Sequence, residues 1–160
     1  MTIRTLGDPV LREKAKPVEK IDGKIKKLVK SMTKTMGAAP GIGLAAPQVG
    51  ILRQVAVLNV GEEIICLINP EIISKSKTEE EEEEGCLSVP NVTVPVKRAI
   101  KIKVRALNIK GECLEMVAEG LIARIIQHEI DHFNGILIID RTSKDEKRRI
   151  LRELSEVPLL

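Results

Sequence analysis

Aromatic residues are almost absent from the sequence, which contains no Trp, no Tyr and a single Phe, Phe133. A hydrophobic core must therefore be built from Ile, Leu, Val, Ala and Met. Because proteins that bind single-stranded nucleic acids usually present aromatic side chains to the bases, this shortage argues against that class.

Long apolar runs and paired cysteines are also missing. No stretch of about 18 apolar residues occurs, and residues 1–4 lack the start of a signal peptide. The three cysteines, Cys66, Cys86 and Cys113, are an odd number, which argues against a disulfide framework and leaves thiols free to bind a metal. We therefore expect a cytoplasmic protein with no membrane partner. A monomer is expected as well.

The length and the hydrophobic content are typical of a single globular domain. The 160 residues include 43% hydrophobic residues, enough for a core without disulfides, so we expect a single domain over residues 1–160. The net charge of +3 says little about partners. An acidic run at 79–84 and a basic segment at 144–152 are interpreted as solvated faces.

The periodicity of apolar residues predicts helices, then strands, then helices. Helical spacing indicates helices at 22–36, 119–133 and from Ser143 onward. Residues 37–50, with four Gly and two Pro, predict a structured loop. Alternation and β-branched residues predict strands, and the segments are 53–60, 63–69, 71–77, 92–96, 99–109 and 112–117. Residues 136–139 are predicted to be a short buried strand or an extended exit from the helix. This order favours an α+β fold with antiparallel sheets over alternating βαβ units.

The motif most indicative of chemistry is an HExxH sequence. His128 and His132 are the only histidines, and their spacing of four places them one turn apart on one helix face. Two imidazoles placed in this way can share a metal ion, and Glu129 lies next to them as a general base. Leu121 and Ile125 lie on the same face, so we predict that the histidine face points inward.

A catalytic metal needs a third protein ligand, and the residues alone leave several alternatives open. Glu153 follows His132 at the distance that suits an HExxH peptidase. Cys86 lies in irregular backbone that could aim its thiol at the histidines. Cys66 and Cys113 lie in predicted strands, where a cysteine is more often a small apolar residue, but either could complete a closed structural site.

Three segments together resemble the peptide deformylase family. They are GIGLAAPQ at 41–48, EGCLSVP at 84–90 and QHEIDH at 127–132, in the order and rough spacing of that family. The resemblance covers nearly the whole chain. It implies an α+β fold in which antiparallel sheets pack around a central HExxH helix, with an N-terminal and a C-terminal helix.

The resemblance also implies the metal site. Its ligands are Cys86, His128 and His132, so the family pattern selects Cys86 over Glu153. The implied cofactor is one divalent ion, with Fe(II) favoured, although Zn, Ni and Co suit the same ligands.

The implied activity is metal-dependent removal of the N-formyl group from the initiator methionine of newly made polypeptides, which releases formate. Glu129 matches the catalytic base, and the Gln48 side-chain amide and the Leu87 backbone N–H match the oxyanion donors. The implied partners are N-formylmethionyl nascent polypeptides.

Further residues are assigned around this site as hypotheses. Glu84 is a candidate acceptor near the metal, paired with Arg98, with a surface carboxylate at the end of the acidic run as the alternative. Asp131 is expected to cap or to make a structural pair. A weak ribosome contact is a hypothesis for the basic segment at 144–152. The candidate residues of an apolar pocket for the substrate methionine, with plain core as the alternative, are Ile42, Gly43, Leu121 and Ile125.

Overall fold

The computed structural model describes residues 1–156, and side chains as far as residue 155. This part of the chain forms three α-helices, α1 Gly23–Ala38, α2 Gly120–Phe133 and α3 Lys144–Glu156. Short 3-10 helices occur at Pro9–Arg12, Ala46–Val49 and Ile138–Asp140. The strands are β1 Gly43–Ala45, β2 Val55–Val60, β3 Glu63–Lys75, β4 Glu79–Cys86, β5 Val89–Ala99, β6 Lys101–Leu107 and β7 Cys113–Glu119.

The strands form two antiparallel sheets. One has five strands in the order β1-β2-β3-β6-β7, and the other is the β4-β5 hairpin. Helix α2 packs against β1, β2, β6 and β7 of the first sheet and against β5 of the second. The predicted α+β fold with antiparallel sheets is confirmed, and α2 is the helix that joins the two sheets.

The core is aliphatic, as the lack of aromatic residues requires. Met32 and Met36 on α1 pack with Leu44 and Val57 of the five-stranded sheet. A second cluster lies between this sheet and α2, and a third lies between the β4-β5 hairpin and the C-terminal elements. Asp22 caps α1 by accepting hydrogen bonds from the N–H groups of the first turn, so the predicted first helix is confirmed.

The bounds of α2 are fixed by glycines. Gly120 (φ +63°) opens the helix, and Gly135 (φ +70°) follows its end at Asn134. A Cβ at Gly135 would lie 2.5 Å from the carbonyl oxygen of Arg12, so backbone from another segment occupies the space of a side chain. The predicted helix and its stop are confirmed, and this stop holds the N-terminal segment against the end of α2.

Several strand predictions need correction. The loop predicted at 37–50 contains β1, which pairs with β2, and a 3-10 helix. The predicted strands 63–69 and 71–77 are one strand, β3, with register shifts near Asn69. Residues 79–83 of the acidic run are exposed as predicted, but Glu84 is buried, and the run is also a strand, since β5 pairs with it along its length. The segment 136–139 is wrong as a strand, because a 3-10 helix occupies Ile138–Asp140.

Asp140 ties α3 to the N-terminal segment and should make stability depend on pH. It accepts hydrogen bonds from the Leu137 N–H (2.9 Å) and Lys147 Nζ (3.2 Å) and pairs with Arg12. Burial raises the pKa of Asp140, but these partners outweigh burial and hold the pKa below its ordinary value. The folded protein therefore binds this proton less readily than the unfolded chain, so the stabilisation is present at neutral pH and is lost on acidification.

We expect Asp140→Asn to lower the free energy of unfolding by about 1 kcal/mol at neutral pH. The difference from the parent should shrink as the pH falls through the folded-state pKa of Asp140. Urea unfolding at neutral and acidic pH measures both effects. Glu62→Gln, at an exposed position without an ion pair in the described part of the chain, is the control. A deficit that stays constant with pH would contradict the electrostatic explanation.

Candidate metal centre and substrate pocket

Two turns of α2 and the end of β4 bring three metal-binding side chains together. The Cys86 Sγ lies 3.5 Å from the His132 Nε2, and the ring centroids of His128 and His132 are 5.1 Å apart. One ligand atom from each of the three residues lies within 4.8 Å of the others. Within residues 1–155 this is the one cluster of three such ligands, so the structure brings together the set that the resemblance implied.

The donor atoms of these groups fit a metal ion. Burial lowers the pKa of His128, but its hydrogen bonds with Cys86 and Glu84 raise it to about 10, so a bound ion takes the place of that proton. The His128 Nδ1 lies 2.9 Å from the Glu84 Oε1, which leaves the Nε2 of His128 free to bind an ion. Burial lowers the pKa of His132 well below its ordinary value, and the neutral ring is the form that binds metals. One thiolate and two imidazoles suit a late divalent ion, and three protein ligands leave a coordination position for a reactant. These residues therefore fit a catalytic metal site.

Glu84 is held by a buried network of charges. Arg98 donates to both Glu84 oxygens, from Nε at 2.9 Å and from Nη2 at 3.0 Å, and Arg124 donates to the Oε2 at 2.5 Å. Burial raises the pKa of Glu84, but the hydrogen bonds from His128 and Arg98 and their charges lower it to about 2. The carboxylate is therefore charged and fixes the orientation of the His128 ring. The expected pair of Glu84 with Arg98 is confirmed.

The network continues toward the surface. Asp131 accepts from Arg98 at 2.6 Å and from Arg141 at 2.7 Å, so its expected structural pairing is confirmed. Arg124 was missed by the sequence analysis. It is buried on α2 and also donates to the backbone oxygens of Val96 and Glu80. An arginine within an otherwise apolar helix segment is the signal that could have pointed to it.

Glu129 is a buried carboxyl group beside Cys86, His128 and His132. It is 3% exposed, and its Oε2 has no hydrogen-bond partner among the described residues. Burial raises its pKa to about 7. A Cβ at position 43 would lie 2.6 Å from the Glu129 Oε1, so Gly43 is required for the carboxyl to occupy this place. The Glu129 carboxyl group is therefore buried beside these residues, and Oε2 has no competing hydrogen bond within the described structure.

Gln48 and Leu87 approach the same place from other segments. The Gln48 Oε1 accepts from the Ala45 N–H at 2.9 Å, and the Nε2 lies 3.1 Å from the Ser88 Oγ and 3.7 Å from the Cys86 Sγ. Leu87 follows Cys86 directly in the turn between β4 and β5. The side-chain amide of Gln48 and the turn that carries the Leu87 N–H therefore lie beside Cys86. Ser88 had no assigned role in the sequence analysis.

A pocket of about 780 Å³ opens over these groups. All four predicted pocket residues line it, together with His128, Glu129, Gln48 and Cys86. Ile125 is buried, but Leu121 is 61% exposed and Ile42 is 49% exposed. The prediction that the whole histidine face points inward is therefore wrong at Leu121, because the first turn of α2 lies at the mouth of the pocket. The volume is sufficient for an extended ligand of several residues.

The other candidate ligands lie elsewhere. Glu153 pairs with Arg149 on α3 at 2.5 Å. Cys66 lies in β3, where burial raises the pKa of its thiol to about 11, and Cys113 is exposed at the start of β7. The structure brings none of these three residues into the cluster with the histidines.

Comparison with known proteins agrees with this geometry. The sequence profile of the family described as "Polypeptide deformylase" matches residues 1–148. The chain is 48% identical over 155 residues to the peptide deformylase of Thermotoga petrophila, covering 97% of this chain and 94% of that protein. A crystal structure of a peptide deformylase from Legionella pneumophila matches with a TM-score of 0.92 at 43% identity, covering 97% of this chain and 93% of that one.

A peptide deformylase from Synechococcus elongatus, solved in complex with actinonin, matches with a TM-score of 0.93 at 40% identity, covering 98% of this chain and 87% of that one. Within residues 1–156, no helix combines the length and the apolar character needed to cross a membrane. The chain belongs to the polypeptide deformylase family, and it is a metal-dependent hydrolase that removes the N-formyl group from the initiator methionine of newly made polypeptides.

Proposed function

We propose that Cys86, His128 and His132 hold a single Fe(II) ion in this deformylase and that Glu129 transfers the protons of the reaction. The observation that carries the proposal is the approach of three ligand atoms to within 4.8 Å of one another beside a buried carboxyl group. A divalent ion in this place would supply Lewis acidity, which polarises a carbonyl group and lowers the pKa of water.

Glu129 accepts a proton from the attacking water and returns it to the leaving amine. Glu129 lines the pocket, and its buried Oε2 has no other hydrogen-bond partner in the described structure, so no competing group holds the carboxyl group when it exchanges a proton with a bound reactant. The overall change breaks the formyl C–N bond, adds water across it and releases formate and a free amino terminus. General acid–base transfer of this kind typically accelerates a reaction by about 10²–10⁴-fold.

Gln48 and Leu87 stabilise the negative charge that develops on the formyl oxygen. The Gln48 amide donates from its side chain, and Leu87 donates from its backbone N–H. The methionine side chain of the substrate lies against Ile42, Gly43, Leu121 and Ile125, which offer an apolar wall of the pocket. Because the pocket is open at its mouth, the rest of the bound polypeptide can extend out of the site.

Reconstitution of the metal-free protein under anaerobic conditions tests the identity of the metal. The protein is loaded separately with Fe(II), Zn, Ni and Co, and bound metal and formate release from a formyl-Met peptide are measured. We expect one ion per chain and the highest kcat/KM with Fe(II). A higher kcat/KM with Zn, or a stoichiometry of two, would contradict the proposed cofactor.

We expect Gln48→Ala to lower kcat by about 10²–10³-fold, since this is the usual effect of removing one oxyanion donor. Metal content should not change, because Gln48 is not one of the three ligands. Gln54→Ala is the matched control, since the Gln54 side chain donates to the Ala15 carbonyl and does not line the pocket. Steady-state kinetics with metal analysis measure the effect, and a change confined to KM would argue against oxyanion stabilisation.

We also propose that residues 1–160 act as one catalytic domain, as a monomer in the cytoplasm where formylated polypeptides are made. A weak ribosome contact is proposed for α3, where Lys144, Arg148 and Arg152 make no ion pair with the described part of the chain. Sedimentation of the purified protein with ribosomes at low salt tests this contact. Recovery of all the protein in the supernatant would contradict it.

A further inference from the structure

We propose that Ser88 is a positioning residue for this reaction, because its hydroxyl group holds the Gln48 amide in the orientation that presents Nε2 to the formyl oxygen. The inference rests on the proposed role of Gln48 as an oxyanion donor. Ser88 is fully buried and does not line the pocket, whereas Gln48 does. Ser88 therefore acts through Gln48 and has no contact with the substrate.

Two hydrogen bonds fix the two ends of the Gln48 amide. The Ala45 N–H donates to Oε1 at 2.9 Å, which determines which end of the amide carries the oxygen. The Nε2 donates to the Ser88 Oγ at 3.1 Å, which determines the plane of the amide. Nε2 carries two hydrogens: one is donated to the Ser88 Oγ, and the other is donated over the longer distance of 3.7 Å to the Cys86 Sγ, since sulfur is a weak acceptor. This hydrogen is the one that a reacting oxygen in the pocket can use.

Without Ser88 the amide has more rotational freedom. The terminal torsion of a glutamine side chain is broad, so its staggering preferences alone do not fix the plane. With Gln48 1% exposed, a lost acceptor is not readily replaced by bulk water. An amide that rotates away from the formyl oxygen is a poorer donor, because oxyanion stabilisation depends on donors that are already in place.

Hydrogen bonds from the N-terminal segment also fix the backbone at Gln48 and Ser88. The Arg4 N–H donates to the Gln48 carbonyl oxygen at 2.6 Å, and the Leu6 N–H donates to the Ser88 carbonyl oxygen at 2.8 Å. One N-terminal segment therefore binds both residues, although they lie 40 positions apart in the sequence. The side-chain hydrogen bond between Gln48 and Ser88 thus joins two segments whose separation is already fixed.

A pair of isosteric variants isolates the hydroxyl group. Ser88→Thr and Ser88→Val add nearly the same volume at a buried position, but only the Thr variant retains a hydroxyl acceptor. We expect kcat to be about tenfold lower in Ser88→Val than in Ser88→Thr, with similar KM, metal content and Tm in the two variants. Equal kcat values would overturn the proposal, whatever each variant loses relative to the parent protein.

A double-mutant cycle separates positioning from general packing. Ser88→Ala should lower kcat about tenfold in the parent protein but should have no further effect in the Gln48→Ala background. Val94→Ala, which truncates a fully buried side chain in the neighbouring hydrophobic cluster, should lower Tm without this effect on kcat. Additive effects of Ser88→Ala and Gln48→Ala would overturn the positioning role. If Gln48→Ala alone leaves kcat unchanged, the oxyanion role of Gln48 in the proposed function is wrong.

Discussion

Glu129→Gln is expected to lower kcat for deformylation by about 10²–10⁴-fold, the range typical of losing a general acid–base group. Gln occupies nearly the same volume as Glu, so the close approach of Gly43 is preserved. The side-chain amide cannot accept a proton from water and return it to an amine. Metal content should stay at the parent level, because Cys86, His128 and His132 are unchanged. Formate release and metal analysis on the same samples measure both quantities.

The control for this prediction is Glu63→Gln, an exposed position at the start of β3 that does not line the pocket. It makes the same Glu-to-Gln exchange outside the pocket and should leave kcat at the parent value. A Glu129→Gln protein that retains its metal and keeps kcat within about tenfold of the parent would show that another group transfers the proton.

The part of the site that lies on α2, which includes His128 and His132, could be predicted from local sequence. Helical spacing places His128 and His132 on one face, and the structure has them on successive turns. The proposed third ligand, Cys86, could not be predicted from local sequence, since its contact with His132 joins segments that are 46 residues apart. Local patterns do not specify which irregular segment packs against α2, so only the resemblance to a family distinguished Cys86 from Glu153.

The groups that support the site were harder to predict because each depends on a tertiary contact. A buried charge at Arg124 is tolerated only because Glu84 and two backbone carbonyls surround it. The strand β4 was also missed, since glutamate is rare in strands and the pairing with β5 overrides that local preference. By contrast, β6 was predicted because its apolar and charged residues alternate, as expected for a strand with one buried and one exposed face.

The error at Ile138–Asp140 has a local cause. Four apolar residues in a row are compatible with a strand or with one helical turn. The Asp140 Oδ2 accepts from the Leu137 N–H at 2.9 Å, which closes the turn. Local side-chain hydrogen bonds of this kind compete with extended structure. An aspartate directly after a short apolar run is therefore a signal for a turn that the sequence analysis overlooked.

Cys86→Ala is expected to abolish deformylation by removing the metal. Loss of a partner that only orients a ligand typically costs about 10–100-fold in metal affinity, so loss of a direct ligand should cost more than 100-fold. Two imidazoles would remain, and no other His, Cys, Asp or Glu of the described chain completes a cluster of three with them. Metal analysis after dialysis against a chelator, followed by formate release, measures the loss.

Glu153→Gln is the decisive control for Cys86→Ala, because Glu153 is the third ligand that an HExxH peptidase would use. In the structure Glu153 is paired with Arg149 on α3, so its substitution should leave metal content and kcat at the parent level. The peptidase alternative requires the opposite result for both variants. Retention of a full equivalent of metal by Cys86→Ala, together with its loss in Glu153→Gln, would mean that the thiol beside His132 is a neighbour of the metal site and not a ligand.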